Sequence, residues 1–356
     1  MQIALSREPV AKVEIRSFDA AHDAQRDQLV RASSHASFFH LSGWRRAVEK
    51  VFHHEPRDLV AWQEGVIVGV LPLFLCRSPF GRKHLISAPY GVYGGPVGTT
   101  KEVERALVDA AIAMAEKEGV GRLELRCFAD PDLPDLTPSN LYATFIQPLP
   151  DDPAEVMKRM PKRARAEVRK AIEKHNLVMN QGDWYLNDLF ELFHASKKHL
   201  GSPGLPRAWF QALVLELGND VVLHVARTGS EPLAATMSFI FRDQIYFYYI
   251  GTTSEANRTF NATNFLVTRL QEWGVERGLK QFDLGRSRVD SGPYEFKKHQ
   301  GFEPTPLNYR YKLVRSKELP SFNPSNPKTE KLRETWTRLP SWVTKPLSAR
   351  LMRYLP

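Results

Sequence analysis

A helix, a β-hairpin, a second helix and a strand follow one another in this chain, and then the same order begins again with matching spacing. In the first pass, residues 40–56 (HLSGWRRAVEKVFHHEP) place Trp44, Val48 and Phe52 on one helical face, with Ser42 a candidate N-cap. Two β-rich runs, DLVAWQEG and VIVGVLPLFLCR, then meet at Glu64-Gly65, a hairpin signal. After the glycine-rich loop APYGVYGGPVG, residues 101–118 form a helix ended by Gly119, and GRLELRCF reads as a strand. The Pro-rich stretch 131–153 is expected to hold neither a helix nor a central strand.

The second pass opens with a strongly basic helix over 154–175 and a strand candidate, LVMNQGD. Helices over 186–199 and 206–217 lead to the strands VVLHVART, LAATMSFIFR and IYFYYIGT. An amphipathic helix over 260–277 ends at Gly278 and is followed by the strand KQFDLG, a short helix near YEFKKHQGF and a last strand, NYRYKLV. The repeat is one of pattern, without close sequence identity. Antiparallel hairpins running into βαβ units predict an α/β fold with mixed (α+β) sheets. Two tandem domains are expected, 1–147 and 148–315, followed by a tail, 316–356, with eight Lys/Arg against three Glu. In that tail Trp336, Leu339, Val343 and Leu347 fall at helical spacing, but Pro340 and Pro346 break the run.

A length of 356 residues suits two domains, and 42% hydrophobic with 25% charged residues allows real cores. With no 18-residue apolar run and no signal-peptide pattern at the start, the expected location is the cytoplasm. Cys76 and Cys127 lie in apolar stretches and read as buried, reduced thiols. A net charge of +9 points to an anionic partner: nucleic acid, a nucleotide-linked substrate or a lipid surface. His53, His54, His199 and His299 lack metal-ligand spacing, so no metal is expected. Zinc-finger and RNP signatures for nucleic acid are absent.

Four stretches carry a family resemblance: FFHLSGWRRAVEKVFHHEP with GVIVGVLPLFL; APYGVYGGPVG; KRARAEVRKAIEKH; and FDLGRSRVDSGPYEFKKHQGFEP followed by YRYKL. Together they resemble the FemAB-like proteins, double-GNAT enzymes that include the aminoacyl transferases extending peptidoglycan side chains. Within them the chain looks like the branch associated with PEP-CTERM/exosortase polysaccharide loci. The resemblance implies two tandem GNAT-type acyltransferase domains that move an acetyl or aminoacyl group to an amine on a cell-envelope or exopolysaccharide precursor. It rests most heavily on Phe296-Lys297-Lys298-His299-Gln300-Gly301, similar to the family's FK-and-glycine signature.

Such a transfer forms no covalent enzyme intermediate. It needs a neutral acceptor amine, a stabilised oxyanion and substrates held in line. In the resembling enzymes the lysine matched by Lys297 faces the reacting centre, which makes Lys297 the expected oxyanion stabiliser. Tyr294 is a candidate proton relay or acceptor-site wall, and Asp283 a candidate general base or an anchor for neighbouring arginines. Arg286 and Arg288 follow the carboxyl end of FDLG, where open α/β sheets place ligands, and arginine forks suit phosphate or carboxylate. Lys162, Arg165 and Arg169 share one helical face, either a solvated surface or a clamp on phosphates of the precursor or of tRNA. Tyr90 and Tyr248 are expected to reach the substrate.

The expected pyrophosphate loop departs from the GNAT pattern. Residues 251–266 (GTTSEANRTFNATNFL) keep Arg258 but lack the glycines that let backbone approach CoA, with Asn261 and Thr263 adding bulk. No permanently bound cofactor is expected, and the acyl donor is either aminoacyl-tRNA or acyl-CoA. The basic, Trp-containing tail suits peripheral contact with the inner face of the membrane. The alternative is a non-catalytic GNAT-like protein that binds anionic polysaccharide intermediates or RNA.

Overall fold

In the computed structural model, which describes residues 12–320 and 327–356, the repeated pattern becomes two mixed α/β lobes. The hairpin Leu59–Gln63/Val66–Leu71 forms where Glu64-Gly65 predicts it. The run VIVGVLPLFLCR does not stay one strand. It divides at Pro72 into Val66–Leu71 and Phe74–Arg77, which join different sheets, because proline has no N–H to continue a ladder. Helix Lys101–Lys117, capped by Thr100, packs Val103, Leu107 and Ala111 over the hairpin and leads to the strand Arg122–Leu125.

The second lobe is organised by an eight-stranded sheet with Glu231–Phe241 and Gln244–Thr252 in its interior, as their two-sided apolar character implies. The basic helix expected over 154–175 is two helices, Pro153–Arg159 and Lys162–Glu173. Pro161 separates them, since a proline inside a helix removes a hydrogen bond and clashes with the preceding turn.

The lobes exchange strands. Tyr142–Pro148, from the Pro-rich stretch expected to exclude a central strand, runs through the interior of the second sheet. It pairs there with Gln281–Asp283 and Pro304–Pro306. The prolines bracket this strand, and the segment YATFIQ between them is free of proline and rich in β-formers. Conversely, Tyr309–Leu313 leaves the second lobe and inserts between Arg122–Leu125 and Thr137–Ser139 of the first. The 147/148 division read from sequence therefore falls inside the first crossing strand.

The largest core lies between the lobes. Phe38 stacks on Phe239 at 4.2 Å between ring centroids, and Trp44 meets Trp209 edge-on at 5.1 Å. Helix Ser42–Phe52 lies on helix Arg207–Leu217 so closely that a Cβ on Gly43 would stand 2.4 Å from the Glu216 carbonyl oxygen. Arg46 pairs with Glu216 at 2.7 Å across the same contact.

The terminal segment holds helices Pro327–Arg338 and Ser341–Met352, and Pro346 lies within the second rather than breaking it. Thr344 and Ser348 are buried against the second lobe, with Thr344 Oγ1 3.0 Å from His194 Nε2 and Ser348 Oγ accepting from the Gly204 N–H at 3.3 Å. Lys345 pairs with Glu191 at 2.6 Å. Tyr90 of the first lobe donates to the Met352 carbonyl at 3.0 Å, so the segment straps both lobes. Among the described residues no helix is long and apolar enough to cross a membrane. Cys76 and Cys127 are free and buried.

Candidate active site

Strands Gln244–Thr252 and Gln281–Asp283 run parallel, but they pair only from Gln244–Tyr246 to Gln281–Asp283. Beyond that point the first continues and the second turns away, which opens a cleft of about 840 Å³ between Phe247–Ile250 and Leu284–Ser287. Ligand sites beyond the carboxyl ends of parallel strands follow from this kind of divergence. Val92, from the glycine-rich loop of the first lobe, and Met352, from the terminal strap, complete the wall.

Lys297 lines this cleft from helix Gly292–His299, whose start is capped by Ser291. It is 9% exposed, and its Nζ donates to the Gly285 carbonyl at 2.7 Å and the Arg286 carbonyl at 3.2 Å. An ammonium has three N–H donors, so one remains. Burial pushes the Lys297 pKa down to about 7, against the pull of Asp283.

Asp283 does not line the cleft. It is fully buried and accepts from Tyr93 at 2.7 Å, from Thr144 at 3.2 Å and from the Gly285 N–H at 2.6 Å, and burial raises its pKa to about 6. Enclosed this way, it has no path to a substrate proton, which corrects the expectation of a general base. It is an anchor, but of the Gly285 turn rather than of the arginines. Gly285 takes φ 69°, a conformation natural to glycine, and offers its carbonyl to Lys297. Asp283 therefore positions Lys297 through that turn.

Of the two expected arginines, Arg286 lines the cleft while Arg288 lies in the short strand opposite Tyr142, outside it. Tyr248 lines the cleft and donates to the Tyr90 carbonyl at 2.7 Å. Tyr90 itself is committed elsewhere: its ring stacks on Phe52 at 3.9 Å, beneath the strap, and it does not line the cleft. Tyr294 also lies outside, packed edge-on against Phe145 at 5.2 Å within the second core, because the helix turns its side chain toward the sheet. Lys162 and Arg169 are exposed and Arg165 half-buried, and none of the three lines the cleft. Their helix reaches the cleft through Glu167, which pairs with Arg163 at 3.3 Å and accepts from Asn264 at 2.5 Å.

The stretch expected to hold a pyrophosphate also borders the cleft. It folds as a short helix, Ser254–Phe260, a left-handed residue, Asn261, and the helix Ala262–Glu276. Asn257 Oδ1 accepts from both the Thr263 N–H at 3.1 Å and the Thr263 hydroxyl at 2.7 Å, so the chain's own side chain occupies the start of that helix. Lys197, a cleft residue that sequence reasoning passed over, stands on helix Leu186–His199 with its ammonium 5.2 Å from the Phe193 ring centroid, and burial lowers its pKa. Among the described residues no group of His, Cys, Asp and Glu is placed to hold a metal ion.

The profile of a family described as an acetyltransferase (GNAT) domain matches residues 158–298, the stretch that supplies most of this cleft. In fold, the chain is similar to the crystal structure of FemX (14% identity, TM-score 0.64, covering 85% of this chain and 98% of that one). It is similar as well to a tandem GNAT protein from the clavulanic acid biosynthesis pathway (14%, 0.53, 87% and 100%). A third likeness is the C-terminal domain of a putative lysylphosphatidylglycerol synthetase from Agrobacterium fabrum (14%, 0.54, 82% and 92%). Among curated proteins, none matches the chain in sequence. The chain thus has the mixed α/β tandem GNAT fold, and the match to the acetyltransferase (GNAT) domain family falls within its second lobe.

Proposed function

We propose that this protein is a FemAB-like acyltransferase that moves an acyl or aminoacyl group to an amine in the cleft between the diverging strands. The acceptor nitrogen forms a C–N bond to the donor's carbonyl carbon, the donor's C–O or C–S bond breaks, and one proton passes from the attacking amine to the departing oxygen or sulfur. Lys297 supplies the charge that steadies the oxyanion between those two events. The observation that carries this reading is its Nζ, buried in the cleft wall and held by two carbonyls, with a third donor left for substrate.

The donor is an aminoacyl-tRNA or another acyl carrier rather than acyl-CoA gripped at a helix start. Asn257 supports this, because it already uses the Thr263 N–H that a pyrophosphate would need. The acceptor class, an amine on a cell-envelope or exopolysaccharide precursor, rests on the resemblance of the block from Phe282 to Gly301. Contact with an anionic membrane surface through the terminal strap would bring the cleft to such a precursor; Trp342 is 78% exposed there among basic residues.

The test is donor discharge in the presence of an amine-bearing envelope precursor, with charged tRNA and acetyl-CoA as separate donors. Discharge that falls about 10²–10³-fold in Lys297→Ala supports the reading. No discharge by the wild-type protein overturns it, equal discharge by the variant removes Lys297 from the step, and discharge of acetyl-CoA alone overturns the donor assignment.

A further inference from the structure

Among the described residues, Glu167 is the one carboxylate that lines the cleft, against the basic side chains of Arg286, Lys297 and Lys197. A positively charged group on a ligand therefore meets like charge from three lining residues and opposite charge from one. The direction of that carboxylate is set from the protein side. Asn264 donates to Glu167 Oε2 at 2.5 Å, and Gln300 donates in turn to Asn264 Oδ1 at 3.1 Å. Both amides are buried, so their orientation is fixed by packing as well as by these bonds. Gln300 follows Lys297 by three residues at the end of helix Gly292–His299, a separation of about 5–6 Å between Cβ atoms. The helix turn that presents Lys297 thus also supports the amide that steers Glu167.

The other carboxylate oxygen is loosely held. Arg163 Nε stands 3.3 Å from Oε1, and its side chain is 87% exposed. Such a surface pair one helical turn apart contributes little and exchanges readily with water. A carboxylate accepts at about four lone-pair sites, and these two contacts leave acceptor capacity on the cleft side. Two kinds of amine enter an acyl-transfer cleft. The acceptor amine must lose its proton before it attacks, and a carboxylate that stabilises its charged form works against that. The α-ammonium of an aminoacyl group keeps its proton from binding to release. It also lies one carbon from the carbonyl whose oxygen Lys297 serves, so without a counter-charge the basic lining would repel it.

We infer that Glu167 holds the α-ammonium of an aminoacyl donor, so that the cleft selects acyl groups bearing a charged amine over acetyl and other uncharged acyl groups. The inference rests on the acyltransferase reading for the word donor, and it narrows the acyl groups which that reading admits. Glu167 touches the substrate and takes no part in the bond changes. Its charge-assisted hydrogen bond fixes the α-nitrogen, and with it the face of the carbonyl turned toward Lys297. Asn264 and Gln300 are positioning residues for the carboxylate.

The probes are bulk aminoacyl-tRNA and the same material after nitrous acid treatment, which replaces the α-amine by a hydroxyl and leaves the ester. Transfer RNA treated before charging controls for changes to the bases. Discharge is read with an amine-bearing envelope precursor present, and retention on a filter is read without it. Wild-type protein is expected to prefer the amine-bearing donor about ten- to a hundredfold in both kcat/KM and retention. Glu167→Gln keeps an acceptor for Asn264 and should bring that preference close to one, acting through KM because the ammonium is held equally before and during the reaction. Arg163→Gln should leave the preference unchanged, whereas a carboxylate that only steadies its own helix would make the two variants behave alike. Equal retention of the two donors by wild type, an undiminished preference in Glu167→Gln, or no retention of either donor overturns the assignment. The two readings fail separately. Retention that depends on Glu167, with no discharge of any donor by wild type, keeps this assignment and overturns acyl transfer. Discharge of acetyl-CoA that Lys297→Ala abolishes and Glu167→Gln leaves unchanged keeps acyl transfer and overturns the assignment.

Discussion

Tyr93 of the first lobe donates a 2.7 Å hydrogen bond to the carboxylate of Asp283 in the second, inside a region that solvent does not reach. The bond ties the glycine-rich loop to the turn that holds Lys297. Removing the carboxylate in Asp283→Ala strands the Gly285 N–H, at a cost of about 1–3 kcal/mol, and leaves the Tyr93 and Thr144 hydroxyls only each other, and denaturant unfolding should report the loss. Asp283→Asn keeps an acceptor and should lose less. If the alanine variant unfolds at the wild-type midpoint, Asp283 is not the positioning residue described above.

Lys297 makes stability and activity respond to pH in opposite directions. Its pKa of about 7 in the folded protein lies below the value of 10.5 for a free lysine. Between those values the unfolded chain binds more protons, so folding stability rises as pH rises from about 7 toward 10.5. Turnover needs the ammonium and should fall as pH passes about 7. Lys297→Met should flatten the stability slope, gain stability most at pH 6 and lose turnover; a rise in wild-type turnover through pH 8 would mean that Lys297 acts as a base instead.

Gly43 sets how closely the lobes approach. In Gly43→Ala the new methyl meets the Glu216 backbone carbonyl, which cannot rotate away as a side chain would. Helix Ser42–Phe52 must then lift, at a cost of about 1–3 kcal/mol, read as a lowered unfolding midpoint. A variant as stable as wild type would show that the two helices slide freely.

The strap predicts a membrane response. Trp342 is 78% exposed and Leu355 47%, with Arg338, Arg350 and Arg353 nearby in sequence. Vesicles rich in anionic lipid should pellet the protein and shift Trp fluorescence to the blue, an effect weakened by Trp342→Ser and by added salt. Equal binding to neutral vesicles, or no effect of the substitution, removes the strap from any role in membrane contact.

The sequence made the local elements legible and left the long-range ones hidden. Helix Lys101–Lys117 is bounded by Thr100 and Gly119, and the hairpin at Glu64-Gly65 carries its own turn chemistry. The block around Lys297 singles it out in the sequence and the fold places it on the cleft, whereas burial, which no neighbour in sequence reveals, keeps Tyr294 and Asp283 out of the cleft. Lys197 passes for an ordinary basic helix end beside Lys198 and His199, and only the fold turns it toward the cleft. The crossing strands leave no local trace, because Tyr309–Leu313 finds its partners at Arg122–Leu125 and Thr137–Ser139, far back along the chain.

That exchange has a consequence for how the protein is made. While the ribosome is still adding the second lobe, strand Arg122–Leu125 waits with one edge unfilled, and its sheet is completed only when residues 309–313 emerge. A nascent chain carrying a finished first half is an open template rather than a folded module, exposed to strand addition by other chains throughout that interval. Gene fragments cut near the middle should therefore aggregate, whereas a chain that extends past residue 313 fills that position in the sheet.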